Sequence, residues 1–85
     1  MNWQIGFTSI AEKRIAKIPQ PDRRRILMAI DRLHDGLVGD IKPLKGKTNQ
    51  WRLRVGGWRI VFAADTLNRI VIIKYVDVRG DVYKN

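Results

Sequence analysis

From Trp51 to Phe62 apolar and charged residues alternate along two short runs joined by Gly56-Gly57. A period of two sends successive side chains to opposite faces of a strand. Gly-Gly suits a two-residue hairpin turn, because such turns need positive φ, which glycine adopts without steric cost. With those glycines as the loop, Val55 lies opposite Trp58, Leu53 opposite Ile60 and Trp51 opposite Phe62, all on one apolar side. Arg52, Arg54, Arg59 and Val61 take the other side, with Arg54 directly across from Arg59. Like charges opposite one another on adjacent strands are destabilising. Folding alone does not favour that pairing; an anion lying between the arginines would.

Upstream, Trp3-Gln4-Ile5-Gly6-Phe7 alternates and predicts a strand with Trp3, Ile5 and Phe7 on one face. Ser9 and Glu12 have the spacing of a capping box, so a first helix is expected over about residues 10–18, burying Ala11, Ile15 and Ile18. Pro19-Gln20-Pro21 ends it, since a residue before proline is pushed out of the helical region. A second helix starts near Pro21 or Asp22, and the acid suits the positive end of the helix dipole. Its core stripe is Ile26, Ile30, Leu33 and Leu37, widened by Leu27 and Ala29, and Asp35-Gly36 stops it. Residues 36–50 read as irregular and basic, broken by Gly39, Pro43 and Gly46. After the hairpin and the turn Asp65-Thr66-Leu67-Asn68 comes a further strand over residues 69–76. Its Ile70-Val71-Ile72-Ile73 run predicts burial on both faces.

The expected order is strand, helix, helix, strand, strand, strand. This is an α+β domain in which two antiparallel helices cover one face of a small antiparallel sheet and leave the arginines on the other. At 85 residues there is room for one domain, spanning residues 1–85, with one small core. The absence of cysteine excludes a disulfide framework and a thiolate nucleophile, and one histidine makes a zinc site built by the protein improbable, so neither metal nor cofactor is expected. The longest wholly apolar run is far short of a membrane span, and no signal peptide opens the chain, which predicts a cytoplasmic protein.

Charge narrows the partners. The net charge is +9, and Lys42, Lys45, Lys47, Arg52, Arg54 and Arg59 fall between Asp40 and Asp65 with no acid among them. A segment of one sign attracts polyanions, nucleic acid first. A membrane surface fits less well, because neither helix pairs a broad exposed apolar face with its basic one.

The order of elements, together with Pro43-Leu44-Lys45-Gly46, Trp51-Arg52-Leu53-Arg54-Val55-Gly56, Trp58-Arg59-Ile60-Val61-Phe62 and Arg79-Gly80-Asp81-Val82-Tyr83, resembles the RelE family of bacterial and archaeal toxins. Thr8-Ser9-Ile10-Ala11-Glu12-Lys13 is similar to the family's N-terminal pattern. The resemblance covers nearly the whole chain. It implies a small twisted antiparallel sheet with two helices on one face, and a ribosome-dependent endoribonuclease that cuts mRNA in the ribosomal A site. It also implies a cognate antitoxin that neutralises the toxin, in a complex that binds operator DNA. By position the resemblance implies a catalytic set of Arg52, Arg54, Arg59, Arg79 and Tyr83. Arginines stand at Arg52 and Arg54, where the family usually has lysines.

Cleavage of this kind needs an acceptor for the 2′-OH proton, charge stabilisation at phosphorus and a donor for the leaving oxygen. Arginine meets the second need with its planar fork, and meets the first badly because it is always protonated. Tyr83 is then the best proton-transfer group, with its phenol pushed down by Arg79, and Lys45 or Lys47 can reach in from the preceding loop. Lys42, Lys45, Lys47, Arg23 and Arg24 are the candidate RNA contacts, although Arg23-Arg24-Arg25 reads first as a solvated helix face. Trp3, Trp51 and Trp58 read as core rather than base-stacking surfaces, and His34 as a helix-end residue. Asp81 either orients an arginine or simply begins the tail. Two alternatives stay open: a ParE-like inhibitor of DNA gyrase on the same fold, and a non-catalytic RNA-binding module.

Overall fold

The computed structural model of the chain describes residues 2–78. Its elements run β1 (Gln4–Phe7), α1 (Ser9–Ala16), α2 (Asp22–Asp31), a short 3-10 helix (Arg32–Asp35), β2 (Ile41–Pro43), β3 (Gln50–Val55), β4 (Trp58–Asp65) and β5 (Ile70–Val78). The strands form one five-stranded sheet in the order β1-β5-β4-β3-β2. The α+β class expected from the pattern is found. The sheet is mixed, because β1 pairs with β5 in parallel while the other pairs are antiparallel. A parallel neighbour needs a long crossover, and both helices lie in the chain that returns from β1 to β5.

The hairpin has the register read from its alternation: Val55 faces Trp58, Arg54 faces Arg59, Leu53 faces Ile60 and Trp51 faces Phe62. Gly56, at φ +57°, supplies the left-handed turn position. Leu53, Ile60 and Phe62 are buried in one cluster with Ala11, Ile15, Ile18, Ile26, Ile30 and Leu33 from the helical side and Val71, Ile73 and Val76 from β5. Trp3, Trp51, Val55 and Trp58 are half-buried against it. The Trp58 indole N–H donates to Asp22 Oδ2 at 2.9 Å, and the Arg14 guanidinium lies 5.8 Å from the Trp58 ring centroid. The inner face of the hairpin tip is thereby fastened to the first turn of α2 and covered by α1.

Four expectations need correction. The N-cap of α1 is Thr8, whose Oγ1 accepts from the Ala11 N–H at 3.1 Å; Ser9 is already helical. Residues 36–50 are not all irregular, since Ile41–Pro43 forms the edge strand β2 with Lys42 opposite Arg52. Three residues show no clear alternation, and a proline at an outer edge costs no ladder bond. Leu27 is exposed rather than core, being a full helical step round from the Ile26/Ile30 stripe. Lastly, β5 is an interior strand but is buried on one face only: Val71 and Ile73 are buried, while Ile72 between them is 37% exposed.

The phase of β5 changes partway along. Val61 pairs with Tyr75 and Phe62 with Ile73, which leaves Lys74 as an extra residue, a β-bulge. Before it Val71 and Ile73 point to the core; after it Val76 does. Strict alternation would send Tyr75 inward. The bulge turns Tyr75 and Asp77 out instead, re-aiming side chains as bulges beside functional surfaces do. Thr8 holds the spot: its N–H donates to the Ile73 carbonyl at 3.0 Å and its Oγ1 to the Lys74 carbonyl at 2.7 Å.

Candidate nucleic-acid interface

Residues that pair across strands share a face, so the register lays out the outward surface in rows. In one row Arg54 faces Arg59, which faces Asp77 on β5. Asp40 completes it on the other side, since the Arg54 backbone N–H donates to the Asp40 carbonyl at 3.0 Å. From the bend before β2 across β3, β4 and β5 the order is carboxylate, guanidinium, guanidinium, carboxylate. Arg59 grips Asp77 through Nε at 3.1 Å and Nη2 at 2.9 Å. Asp40 lies 3.7 Å from Arg54 Nε and 3.5 Å from Arg52 Nη1, and Arg52 Nη1 also donates to the Asp40 carbonyl at 3.4 Å. The hydrogen bonds to Asp77 raise the pKa of the Arg59 guanidinium above the usual arginine value; partial burial acts the other way, and the charges of Asp77 and Tyr75 add to the rise.

The uncompensated cluster expected from the sequence is therefore largely compensated. The anions that opposed arginines require are supplied by the chain itself, from just before β2 and from the end of β5. Three guanidiniums against two carboxylates still leave this patch positive. The adjoining row adds to it: Lys42 faces Arg52, Arg52 faces Val61, and Val61 faces Tyr75. Val61 is fully buried on this outward face, and the Arg52 side chain keeps only 14% of its surface exposed. The two rows thus form a close-set surface of cations over an apolar floor, suited to binding phosphate oxygens through planar, bidentate donors.

Arg52, Arg54, Arg59 and Lys42 are brought together. Lys45 and Lys47 are exposed in the β2–β3 connection, at the end of β3 away from the Gly56-Gly57 turn. Arg23 and Arg24 belong to α2, on the core side of the sheet: Arg23 Nη1 donates to the Ala16 carbonyl at 3.2 Å, and the Arg24 N–H donates to Gln20 Oε1 at 3.0 Å. They are not brought together with the hairpin arginines. His34, also on that side, donates from Nδ1 to the Trp3 carbonyl at 2.8 Å, so it ties the 3-10 helix to the start of β1. Arg79, Asp81 and Tyr83 lie outside the described residues.

Sequence reading missed Asp40, Asp77 and Tyr75 on this face. Asp40 sat beyond an undetected edge strand. Asp77 and Tyr75 were hidden by the change of phase at Lys74, for which the charged residue closing the Ile70–Ile73 run was the available signal. Among the described residues no helix is long and apolar enough to cross a membrane.

No protein-family model matches the chain. A protein of Methanocaldococcus jannaschii named "Putative toxin RelE1" is 39% identical over 46 residues, 54% of this chain. That match spans about half the length of the relative, 51%. Among solved structures, the archaeal RelE-RelB complex from Pyrococcus horikoshii superposes with a TM-score of 0.82 at 22% identity, over 94% of this chain and 98% of that one. The RelB-RelE antitoxin-toxin complex from Methanococcus jannaschii gives a TM-score of 0.74 at 28% identity, over 92% of this chain and 94% of that one. The toxin-antitoxin complex RelBE2 from Mycobacterium tuberculosis gives 0.68 at 26% identity, over 93% of this chain and all of that one. In fold the chain is RelE-like, and over 46 residues its sequence is similar to that of the protein named "Putative toxin RelE1".

Proposed function

We propose that this chain is the toxin of a type II toxin–antitoxin pair and acts as an mRNA endoribonuclease at the ribosomal A site. One observation carries the reading: on a RelE-like fold, Arg52, Arg54, Arg59 and Lys42 converge on a single sheet face. In the reaction the ribose 2′-oxygen bonds to the adjacent phosphorus and the bond from phosphorus to the 5′-oxygen breaks. A base takes the 2′-OH proton and an acid protonates the leaving oxygen, giving a 2′,3′-cyclic phosphate and a 5′-OH. The arginines serve the charge that grows on the equatorial oxygens, and being always protonated they do not serve as the base. Arg79 and Tyr83, in the positions of the family's C-terminal arginine and tyrosine, join them in this reading, with Tyr83 moving protons.

The partner is a cognate antitoxin, in keeping with the RelB chains that accompany RelE in the archaeal complexes. Its complex with the toxin would bind operator DNA. Induced expression should stop translation and leave cuts within reading frames that end in cyclic phosphate or 3′-phosphate. Arg59→Ala should lower cleavage about 10²–10³-fold, the usual cost of removing one preorganised electrostatic donor. Intact mRNA with gyrase-linked DNA breaks would instead assign the chain to the ParE-like activity, the alternative that the absence of the family's usual lysines keeps open. RNA binding without either activity would leave a non-catalytic module.

A further inference from the structure

Tyr75 is the aromatic side chain that the Lys74 bulge turns onto the cationic face. It is 37% exposed and stands at the end of the row Lys42–Arg52–Val61–Tyr75, one row from Arg59. Among the described residues the Tyr75 hydroxyl has no hydrogen-bond partner and Lys42 has no ion pair. Its cross-strand neighbour Val61 is fully buried, and the next outward residue along β5 toward the turn, Ile72, is an exposed isoleucine. A partly exposed ring beside apolar neighbours, with guanidiniums along one side, offers an apolar surface for a flat π-face and cations for the charge that accompanies it. A free phosphate uses only the cations. A duplex keeps its bases stacked inside and offers no face to the ring. An unpaired nucleobase, still linked to its phosphates, uses both.

We infer that Tyr75 is a stacking platform for an unpaired base of single-stranded RNA whose flanking phosphates lie on Arg52, Arg59 and Lys42. This rests on the reading of the face as an RNA site and adds to it a binding group outside the residues that the family resemblance supplies.

The test is binding of a short fluorescein-labelled single-stranded oligoribonucleotide to the whole chain, with Tyr75→Phe and Tyr75→Ala compared with wild type across a salt series. Stacking on the ring predicts that Tyr75→Phe binds within about twofold of wild type and Tyr75→Ala about tenfold more weakly. Tyr75→Ala should leave the salt slope unchanged, whereas Lys42→Ala reduces it by about one. An oligonucleotide with abasic positions should bind wild type more weakly yet lose nothing further on Tyr75→Ala. Equal binding by Tyr75→Ala and wild type overturns the platform, and so does an equal loss in Tyr75→Phe, which would put the effect in the hydroxyl. Messenger RNA cleavage in cells, scored beside binding, separates this from the enzymatic reading. Cleavage by wild type with no effect of Tyr75→Ala on either readout removes the platform and keeps the nuclease. Ring-dependent binding without cleavage keeps the platform and removes the nuclease.

Discussion

Arg54 and Arg59 face each other across the hairpin, and each is drawn away from the other by a carboxylate at its own end of the row: Asp40 at 3.7 Å from Arg54, and Asp77 at 2.9 Å from Arg59. The sheet tolerates two like charges in direct opposition because the bend before β2 and the end of β5 place an acid beyond each. The same arrangement holds the Arg59 guanidinium by two hydrogen bonds and draws Arg52 and Arg54 toward Asp40, on a face the helices leave uncovered. A phosphate arriving there meets donors already aligned, and electrostatic stabilisation depends on such preorganisation.

Removing one acid should expose the repulsion. Asp77→Ala leaves Arg59 facing Arg54 with no partner, and is expected to lower stability at low salt. Arg59 and Asp77 side chains are each more than a third exposed, so solvent screening keeps the loss below about 1 kcal/mol. The Debye length shrinks from about 10 Å at 0.1 M salt to about 3 Å at 1 M, so the deficit should narrow as salt rises. Adding Arg54→Ala to Asp77→Ala should recover part of it. Melting temperatures across a salt series would check both statements, and a deficit unaffected by salt would contradict them.

Thr8 links the start of α1 to the surface on the far side of the sheet. Its hydroxyl accepts from the Ala11 N–H and donates to the Lys74 carbonyl, so one side chain both caps the helix and pins the bulge that turns out Tyr75 and Asp77. Thr8→Val removes both bonds and is expected to cost about 1–2 kcal/mol, the usual value of a lost cap, while Thr8→Ser stays near wild type. Amide hydrogen exchange should quicken around Lys74 in the valine variant alone. Unchanged exchange there would separate the cap from the bulge.

Local periodicity carried much of this fold. The hairpin register followed from alternation about Gly56-Gly57, and the stripes Ala11/Ile15/Ile18 and Ile26/Ile30/Leu33 marked the buried faces of the helices. What periodicity could not convey was pairing between distant segments. Ile41–Pro43 becomes a strand because β3 offers it an edge, and β1 lies parallel to β5 because of where the helices return the chain. The hairpin arginines were legible as a cationic face, but their partners were not. Asp40 precedes Arg54 in the chain by a loop and a strand, and Asp77 reaches Arg59 only through an extra residue at Lys74. A pattern with a period of two is blind to a one-residue change of phase.

A pH effect is expected at the β4–β5 turn. Asp65 accepts from the Asn68 side chain at 2.8 Å and from its backbone N–H at 3.1 Å, and these bonds hold its carboxyl below the usual aspartate value. A carboxylate depressed in the folded state adds stability above its unfolded pKa and loses it as pH falls through the folded one. The gap in melting temperature between wild type and Asp65→Ala should therefore be present at neutral pH and close under acid. Since the group is fully exposed the gap should be small. One that widened toward low pH would reverse the sign and refute the turn as its source.

The two hairpin tryptophans should respond differently to the same substitution. Trp58 donates its indole N–H to the Asp22 carboxylate at 2.9 Å, whereas the buried Trp51 N–H has no partner among the described residues. Both become phenylalanine with a similar loss of apolar area, so the comparison isolates the polar atom. Trp58→Phe strips a charged acceptor of its donor, and hydrogen bonds to charged groups contribute about 1.5–3 kcal/mol, toward the low end for a partly exposed acid. Trp51→Phe removes a donor whose burial already costs about 1–3 kcal/mol, which offsets the lost packing. Trp58→Phe is therefore expected to be the more destabilising by about 1 kcal/mol or more, read from urea midpoints at equal m-values. Equal losses would mean that Asp22 regains a partner when the indole is removed, with Arg25, 3.6 Å from its other oxygen, the nearest cation to supply one.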